Sequence, residues 1–168
     1  MKRFALTVFF LCAAATAAAD DDPYYKAPPK WSESETTLPA FPKPENLIEF
    51  YVSAATRNHF FIDGSSLSVG ADGVVRYVLV VKTAGGATDI SFEGIRCSSG
   101  EYKLYAIGRS NDTWANTRVD DWRPIENKPV NRYHAALYGD YFCPDHTPIV
   151  DAAEGKDALR HGKHPGAR

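Results

Sequence analysis

Two histidines stand near the hydroxyl and carboxylate groups that nucleophilic hydrolysis requires. Such a mechanism needs a Ser or Cys nucleophile, a histidine base and a carboxylate that orients the base. His59 is close in sequence to Asp63, Ser65 and Ser66, and His134 lies in a stretch with helical spacing. The chain lacks a GxSxG turn, which would place a nucleophile at a strand-to-helix elbow. A hydrolase using His134 or His59 with nearby carboxylates is therefore an alternative function, and we predict no catalytic residue.

A glycosidase would need two carboxylates facing each other across a cleft. Sequence spacing does not show whether any two acidic residues of the central region lie opposite one another. Carboxylates in turns are solvated by default, so these residues define no site. The candidates are Asp63, Asp72, Glu93, Asp120 and Asp121.

Metal-ligand spacing occurs once, near the end of the chain. His161 and His164 are three residues apart, but no third ligand accompanies them. The Asp-Gly pairs of the central region lack the repeated acidic positions of a calcium loop. We predict neither a metal site nor a cofactor.

Arginines flank two tryptophans in the second half of the chain, Trp114 and Trp122. Aromatic surfaces with guanidinium groups suit protein interfaces or ligands that carry carboxylates or sugars. In the alternative interpretation, the tryptophans pack the long connection onto the sheet and the arginines pair with Asp112, Asp120 and Asp121. The predicted binding residues are Trp114, Trp122, Arg96, Arg109, Arg118, Arg123, Arg132 and His134.

The N-terminus has the three parts of a secretory signal peptide. Lys2 and Arg3 precede an apolar run that is too short to span a bilayer, and small residues follow it up to Ala19. Cys12 is not preceded by the small residue that lipidation needs. We therefore predict cleavage near Ala19, no transmembrane anchor, and a periplasmic or secreted protein.

Removal of the signal peptide leaves a mildly acidic chain. The sequence has 19 Lys and Arg and 21 Asp and Glu; loss of Lys2 and Arg3 leaves 17 against 21, a formal charge of −4. There is no basic stripe for nucleic acid. We predict a partner from the cell envelope, either a protein or a cell-wall component.

The exported chain keeps two of its three cysteines, Cys97 and Cys143. Thiols are oxidised in the compartments beyond the inner membrane, so these two residues are predicted to form a disulfide. A catalytic thiol or a metal pair is the alternative. Neither alternative has its typical spacing here, because no second cysteine lies two residues away from Cys97 or Cys143.

The chain divides into four predicted segments. Residues 1–19 form the signal peptide, residues 20–44 a proline-rich extended leader, residues 45–148 the domain and residues 149–168 a polar tail. The leader holds six of the eleven prolines and could lie along the domain through Tyr24, Tyr25, Trp31 and Phe41. A short helix is possible within the tail, around residues 152–160.

Most of the domain alternates with the period of β-strands. The stretch VVRYVLVVK, residues 74–82, is apolar on both faces, which indicates a central strand covered on two sides. VNRYHAALYGDYFC, residues 130–143, has near-helical spacing and predicts a helix that ends near Cys143. We predict a single α+β domain, mainly an antiparallel sheet of about four to six strands with one packed helix. The other predicted strands cover residues 47–52, 58–63, 88–97 and 101–108.

Several blocks of the domain resemble the CNP-one-like family of proteobacterial exported proteins. The blocks are DGVVRYVLVV, GIRC, KLYAIG, WRPI and DYFC, together with Trp114. They span roughly residues 44–144 in the order and spacing of that family. The resemblance implies an exported single domain, and it carries no established activity, cofactor or catalytic residue. The chain is therefore expected to be an exported envelope domain, more in keeping with binding than with catalysis.

Overall fold

A computed structural model describes residues 30–129 and 132–167, and Trp31–Arg168 forms one compact unit. The predicted signal peptide, the leader residues Tyr24 and Tyr25, and Val130 of the predicted helix lie outside the described residues. Within them, no helix is both long enough and apolar enough to cross a bilayer.

The core of the fold is an antiparallel sheet, and the predicted α+β class is confirmed. The strands run in the order β1-β2-β4-β5-β6-β7, with β3 paired to β4 and β8 paired to β6. The described residues form eight strands, more than the predicted four to six, because three of the strands have only two or three residues, too few to show alternation. The bounds are β1 Leu47–Phe50, β2 His59–Asp63, β3 Ser68–Val69, β4 Val74–Lys82, β5 Thr88–Arg96, β6 Glu101–Gly108, β7 Trp114–Asn116 and β8 Arg123–Pro124.

Strand β4 is the buried centre of this sheet. Its first seven residues are all buried, as its continuous apolar run predicts. Tyr77 and Leu79 belong to the cluster on one face, whereas Val78 and Val80 belong to the cluster on the other. Both faces of the sheet must therefore be covered by other parts of the chain.

Helices cover the face that carries Tyr77, which we call the helical face. Helix α1, Arg132–Ala136, continues as a π-helical segment, Leu137–Phe142, in place of the single predicted helix. Helix α2, Ala152–Arg160, lies in the segment predicted as a polar tail and buries Ala158 and Leu159. Its N-cap is Asp151, which accepts hydrogen bonds from two backbone amides. Short 3-10 turns occupy Pro44–Asn46 and Pro144–His146.

The predicted disulfide between Cys97 and Cys143 is confirmed. The Cα atoms are 5.3 Å apart and both residues are buried in the cluster of the helical face. Cys97 directly follows β5 and Cys143 directly follows the π-helical segment. The bond therefore joins the end of a central strand to the end of the covering helix.

An extended segment, residues 31–41, covers the opposite face, and we call this segment the strap. The ring of Phe41 packs against Trp114 with centroids 5.2 Å apart, and Trp31 meets Trp122 edge to face at 5.9 Å. Trp114 Nε1 donates a hydrogen bond to the carbonyl oxygen of Pro39 at 2.9 Å. The strap is thus held to the sheet by aromatic contacts and by hydrogen bonds.

Candidate functional site

The helices leave part of the helical face open, above strands β5 and β6. Two cavities occupy this region, and Ile107 of β6 remains 48% exposed there. They share four lining residues, Glu93, Leu104, Ile107 and Tyr133, so the cavities adjoin. We call the two together the groove.

A bulge in the sheet creates the floor of the groove. Glu93 pairs with Leu104 and Ser91 pairs with Ile107, and the register shifts between Phe92 and Glu93. The shift adds one residue to β6, so Leu104 and Ile107 come to the same face although they are three positions apart. Simple alternation would place them on opposite faces.

The larger cavity has a volume of about 530 Å³. Side chains from four strands, β2, β4, β5 and β6, give it an apolar wall, which includes Phe60, Leu79 and Val81. Arg132 of α1 and the carboxylate of Asp89 also line it. This cavity is suited to the apolar part of a ligand.

The smaller cavity has a volume of about 410 Å³ and is lined by the connection that follows β7. Thr117 anchors that connection by donating to the carbonyl oxygen of Leu104 at 3.0 Å. Pairing of β8 with β6 sets Arg123 opposite Tyr102. Arg118 and Arg123 therefore stand on a wall that is tied to the sheet on both sides.

A buried carboxylate, Glu93, connects the sheet to helix α1 beneath the groove. Its Oε2 lies 2.8 Å from His134 Nε2 and accepts a hydrogen bond from the Tyr77 hydroxyl at 3.2 Å. Its Oε1 accepts from the Ser91 hydroxyl at 2.7 Å. Glu93 and His134 are only 3% and 2% exposed, so this pair is almost fully removed from water.

Burial and pairing act in opposite directions on this carboxyl group. Burial raises the pKa of Glu93. Electrostatic interaction with His134 and the hydrogen bonds from His134, Ser91 and Tyr77 lower it by more than burial raises it, so the net pKa lies below its usual range. Burial, followed by the neighbouring Glu93 charge, raises the pKa of Tyr77 well above its usual value. Glu93 is thus an acceptor and Tyr77 a donor.

The contacts differ from those of a hydrolytic triad. In a triad the histidine stands between the nucleophile and the acid, whereas here Glu93 stands between Ser91 and His134. The other candidate base, His59, is exposed and pairs with exposed Glu49, with His59 Nδ1 2.7 Å from Glu49 Oε1. That pair lies at the surface of strands β1 and β2.

Two nitrogen atoms of side chains that line the groove are buried without a hydrogen-bond partner in the described part of the chain. They are His134 Nδ1 and Arg132 Nε. The His134 ring is stacked on Tyr102, with centroids 3.8 Å apart. Buried polar atoms of folded proteins nearly always have a partner, so these two nitrogens are exceptions in the support of the groove.

The predicted binding residues separate into two groups. Arg118, Arg123, Arg132 and His134 line the groove. Trp114, Trp122 and Arg96 instead lie on the opposite face of the sheet, the strap face, where they contact residues of the strap. Arg109 directly follows β6 and is exposed.

Glu33 of the strap explains why Trp122 belongs to the second group, as Pro39 and Phe41 do for Trp114. It accepts hydrogen bonds from Lys103 Nζ at 2.9 Å, the Tyr105 hydroxyl at 2.7 Å and Trp122 Nε1 at 3.2 Å. The guanidinium of Arg96 lies 4.2 Å from the centre of the Trp31 ring and 5.3 Å from that of Trp122. The rings are therefore half-buried beneath the strap.

The ion pairs around the tryptophans differ from those weighed in the sequence. Arg96 pairs with Glu101, and Lys103 pairs with Asp120. Asp112 and Asp121 form no ion pair with an arginine within residues 30–129 and 132–167. The aspartates of the connection thus do not neutralise the arginines of the groove through direct contact.

The groove residues Tyr102, Leu104, Ile107 and Ser91 were not predicted from the sequence. The stretch EYKLYAIG indicates a strand, but the bulge that brings Leu104 and Ile107 together leaves no mark on its composition. Glu93 was considered only as one of several carboxylates. Asp89 and Ser91 lie on the same face of β5, so the sequence pattern of this strand did not distinguish Glu93.

The fold and the groove define a small α+β domain with one face closed by a strap and the other partly covered by helices. A family model for the CNP1-like family matches residues 26–160, which include the strap, the whole sheet and both helices. The chain belongs to the CNP1-like family. Comparisons with curated proteins and with solved structures found no match.

Proposed function

We propose that this protein is an exported, non-catalytic binding domain of the cell envelope and that its ligand binds in the groove. The observation that carries the proposal is the pair of adjoining cavities on the helical face, above strands β5 and β6. Ligand sites are typically concave, of about 300–1,000 Å³, mostly apolar and equipped with a few polar groups. The groove meets each of these conditions.

Export is supported by the signal-like N-terminus and by the disulfide. Cys97 and Cys143 are the cysteines that remain after cleavage near Ala19, and they are bonded to each other. Disulfides persist in oxidising compartments and are rare in the cytosol. Intact and non-reducing mass spectrometry of periplasmic and secreted fractions tests this part. A chain starting near Asp20 with the disulfide formed is expected, and a cytosolic chain with free thiols would contradict it.

The contacts of the buried pair Glu93 and His134 favour binding over catalysis. Glu93 and His134 connect β5 to α1, and Glu93 already accepts three hydrogen bonds. A carboxylate with three donors around it, Ser91 among them, serves to hold the helix in place and does not orient a base toward a nucleophile. The pair is thus best explained as the support of the groove.

The test uses an amphiphilic dye, 1-anilinonaphthalene-8-sulfonate, as the probe. We expect the folded protein to bind it, and Ile107→Trp to weaken binding by about tenfold because the larger ring fills the floor shared by both cavities. Val150→Trp is the matched control, since Val150 is 83% exposed and lines neither cavity. Equal binding by both variants would contradict the proposal.

A hydrolase is the second candidate, because Ser91, Glu93 and His134 converge on the wall of the groove. Its test is turnover of a p-nitrophenyl ester by the wild-type protein and by Ser91→Ala. Turnover that disappears in the variant, while the dye still binds, would favour this candidate over the binding domain.

A further inference from the structure

The charges along the groove differ from one end to the other. Arg118 and Arg123 line the smaller cavity, and neither has an ion-pair partner in the described part of the chain. Asp121 is the opposing charge of that wall, and buried Glu93 is already paired with His134. The smaller cavity therefore offers two guanidinium groups that no carboxylate of the described residues contacts as an ion pair.

The larger cavity has the opposite character. Its wall is mainly apolar, and the exposed carboxylate of Asp89 lies at its edge. An anionic group would be repelled by Asp89, while an apolar chain would bury surface against Leu79 and Val81. Among the described residues, Arg132 is the one cation that lines this cavity, and its Nη1 contacts the Ser53 hydroxyl at 3.4 Å.

We propose that the groove binds a free single-chain anionic amphiphile, with its carboxylate-like group in the smaller cavity between Arg118 and Arg123 and its apolar chain in the larger cavity. This inference rests on the proposed function and specifies its ligand class. Guanidinium groups match the geometry of a carboxylate, and the apolar floor of Leu104 and Ile107 runs from one cavity to the other.

The experiment measures calorimetric binding of three ligands with the same chain, namely decanoate, decanol and decyltrimethylammonium, at neutral pH. We expect decanoate to bind about tenfold more tightly than decanol and the cationic ligand to bind least, as a charge-assisted hydrogen bond predicts. The variant Arg118→Gln/Arg123→Gln is expected to lose this preference for decanoate while it binds decanol as the wild-type protein does. Both arginines are exposed, so the variant is expected to fold.

The control variant Lys43→Gln/Arg160→Gln removes the same charge from exposed positions that line neither cavity. It is expected to retain the preference. Equal affinity of the wild-type protein for decanoate and decanol would overturn the inference, as would an equal loss of the decanoate preference in the groove variant and the control variant. In either case, binding of the dye would still support the proposed function. Binding to phosphatidylglycerol vesicles without binding to decanoate would also overturn it. If neither the dye nor any decyl ligand bound, the proposed function itself would fall.

Discussion

The two faces of the sheet are covered in different ways, although each cover is fixed by a carboxylate. On the strap face, Glu33 comes from the cover and accepts hydrogen bonds from Lys103 and Tyr105 of the sheet. On the helical face, Glu93 comes from the sheet and is bonded to His134 of the cover. The carboxylate belongs to the covering segment in one case and to the sheet in the other.

The difference explains where a ligand can bind. An extended strap follows the sheet across the strands and seals it with aromatic rings, so Trp114 and Trp122 are occupied by the fold. A helix contacts a sheet along one line only, and here it leaves strands β5 and β6 open beside it. The groove is therefore a consequence of using a helix as one of the two covers.

The largest expected effect concerns the disulfide of the helical face. The pair Cys97→Ser/Cys143→Ser should lower the free energy of unfolding by about 4 kcal/mol, because the bond closes a loop across a sequence separation of 46 residues. Urea unfolding of oxidised and variant proteins measures this loss. An unchanged unfolding midpoint would show that the helical cover does not depend on the bond.

The buried pair gives the next largest effect. His134→Leu should lower the free energy of unfolding by about 3 kcal/mol, because it leaves the Glu93 carboxylate buried without its hydrogen-bond partner on α1. The double variant His134→Leu/Glu93→Leu should recover part of that loss, since no unpaired charge remains. A double variant as unstable as the sum of both single changes would contradict the coupling.

Loss of the strap carboxylate should cost less. Glu33→Ala is expected to lower the free energy of unfolding by about 2 kcal/mol, because Lys103 keeps its second partner, Asp120, while Tyr105 and Trp122 lose theirs. Glu35→Ala is the control, as Glu35 lies exposed on the same strap. Tryptophan emission should shift to longer wavelength in the first variant alone. Equal behaviour of both variants would contradict the role of Glu33.

The smallest effect depends on pH. Burial raises the pKa of Asp72, but the hydrogen bonds and charge of Arg76 and the backbone amides of Ser34 and Val74 outweigh it and lower the pKa from 3.8 to about 2. A carboxyl group with a lowered pKa in the folded state stabilises the fold at pH values above its unfolded-state pKa. This stabilisation is lost as the pH falls through its folded-state pKa. About 1 kcal/mol should therefore be lost by about pH 3. Asp72→Asn should lack this component when acid unfolding of the two proteins is compared.

The sequence predicted the elements of the fold better than the site. Alternation along β1, β2, β5 and β6 located these strands, and the two-sided apolar run of β4 indicated covers on both faces. Only two cysteines follow the predicted signal peptide, and this count was enough to predict the Cys97–Cys143 bond. These features depend on local pattern or on counting, which a single sequence contains.

The site depends on contacts between distant residues and on one bulge. Glu33 meets Lys103 across 70 residues and Trp122 across 89. Leu104 and Ile107 share a face only because the register shifts beside Phe92. Neither spacing nor composition contains this information, so the arginines of the groove could not be separated from those of the strap face.

Whether the helical face or the strap face binds the ligand can be measured in one NMR experiment. Decanoate would be titrated into protein with labelled methyl groups and labelled indole nitrogens. The account predicts that the methyl resonances of Leu104 and Ile107 shift, while the indole resonances of Trp31, Trp114 and Trp122 stay in place. Shifts of the indole resonances without shifts at Leu104 and Ile107 would place the binding surface on the strap face and contradict the account.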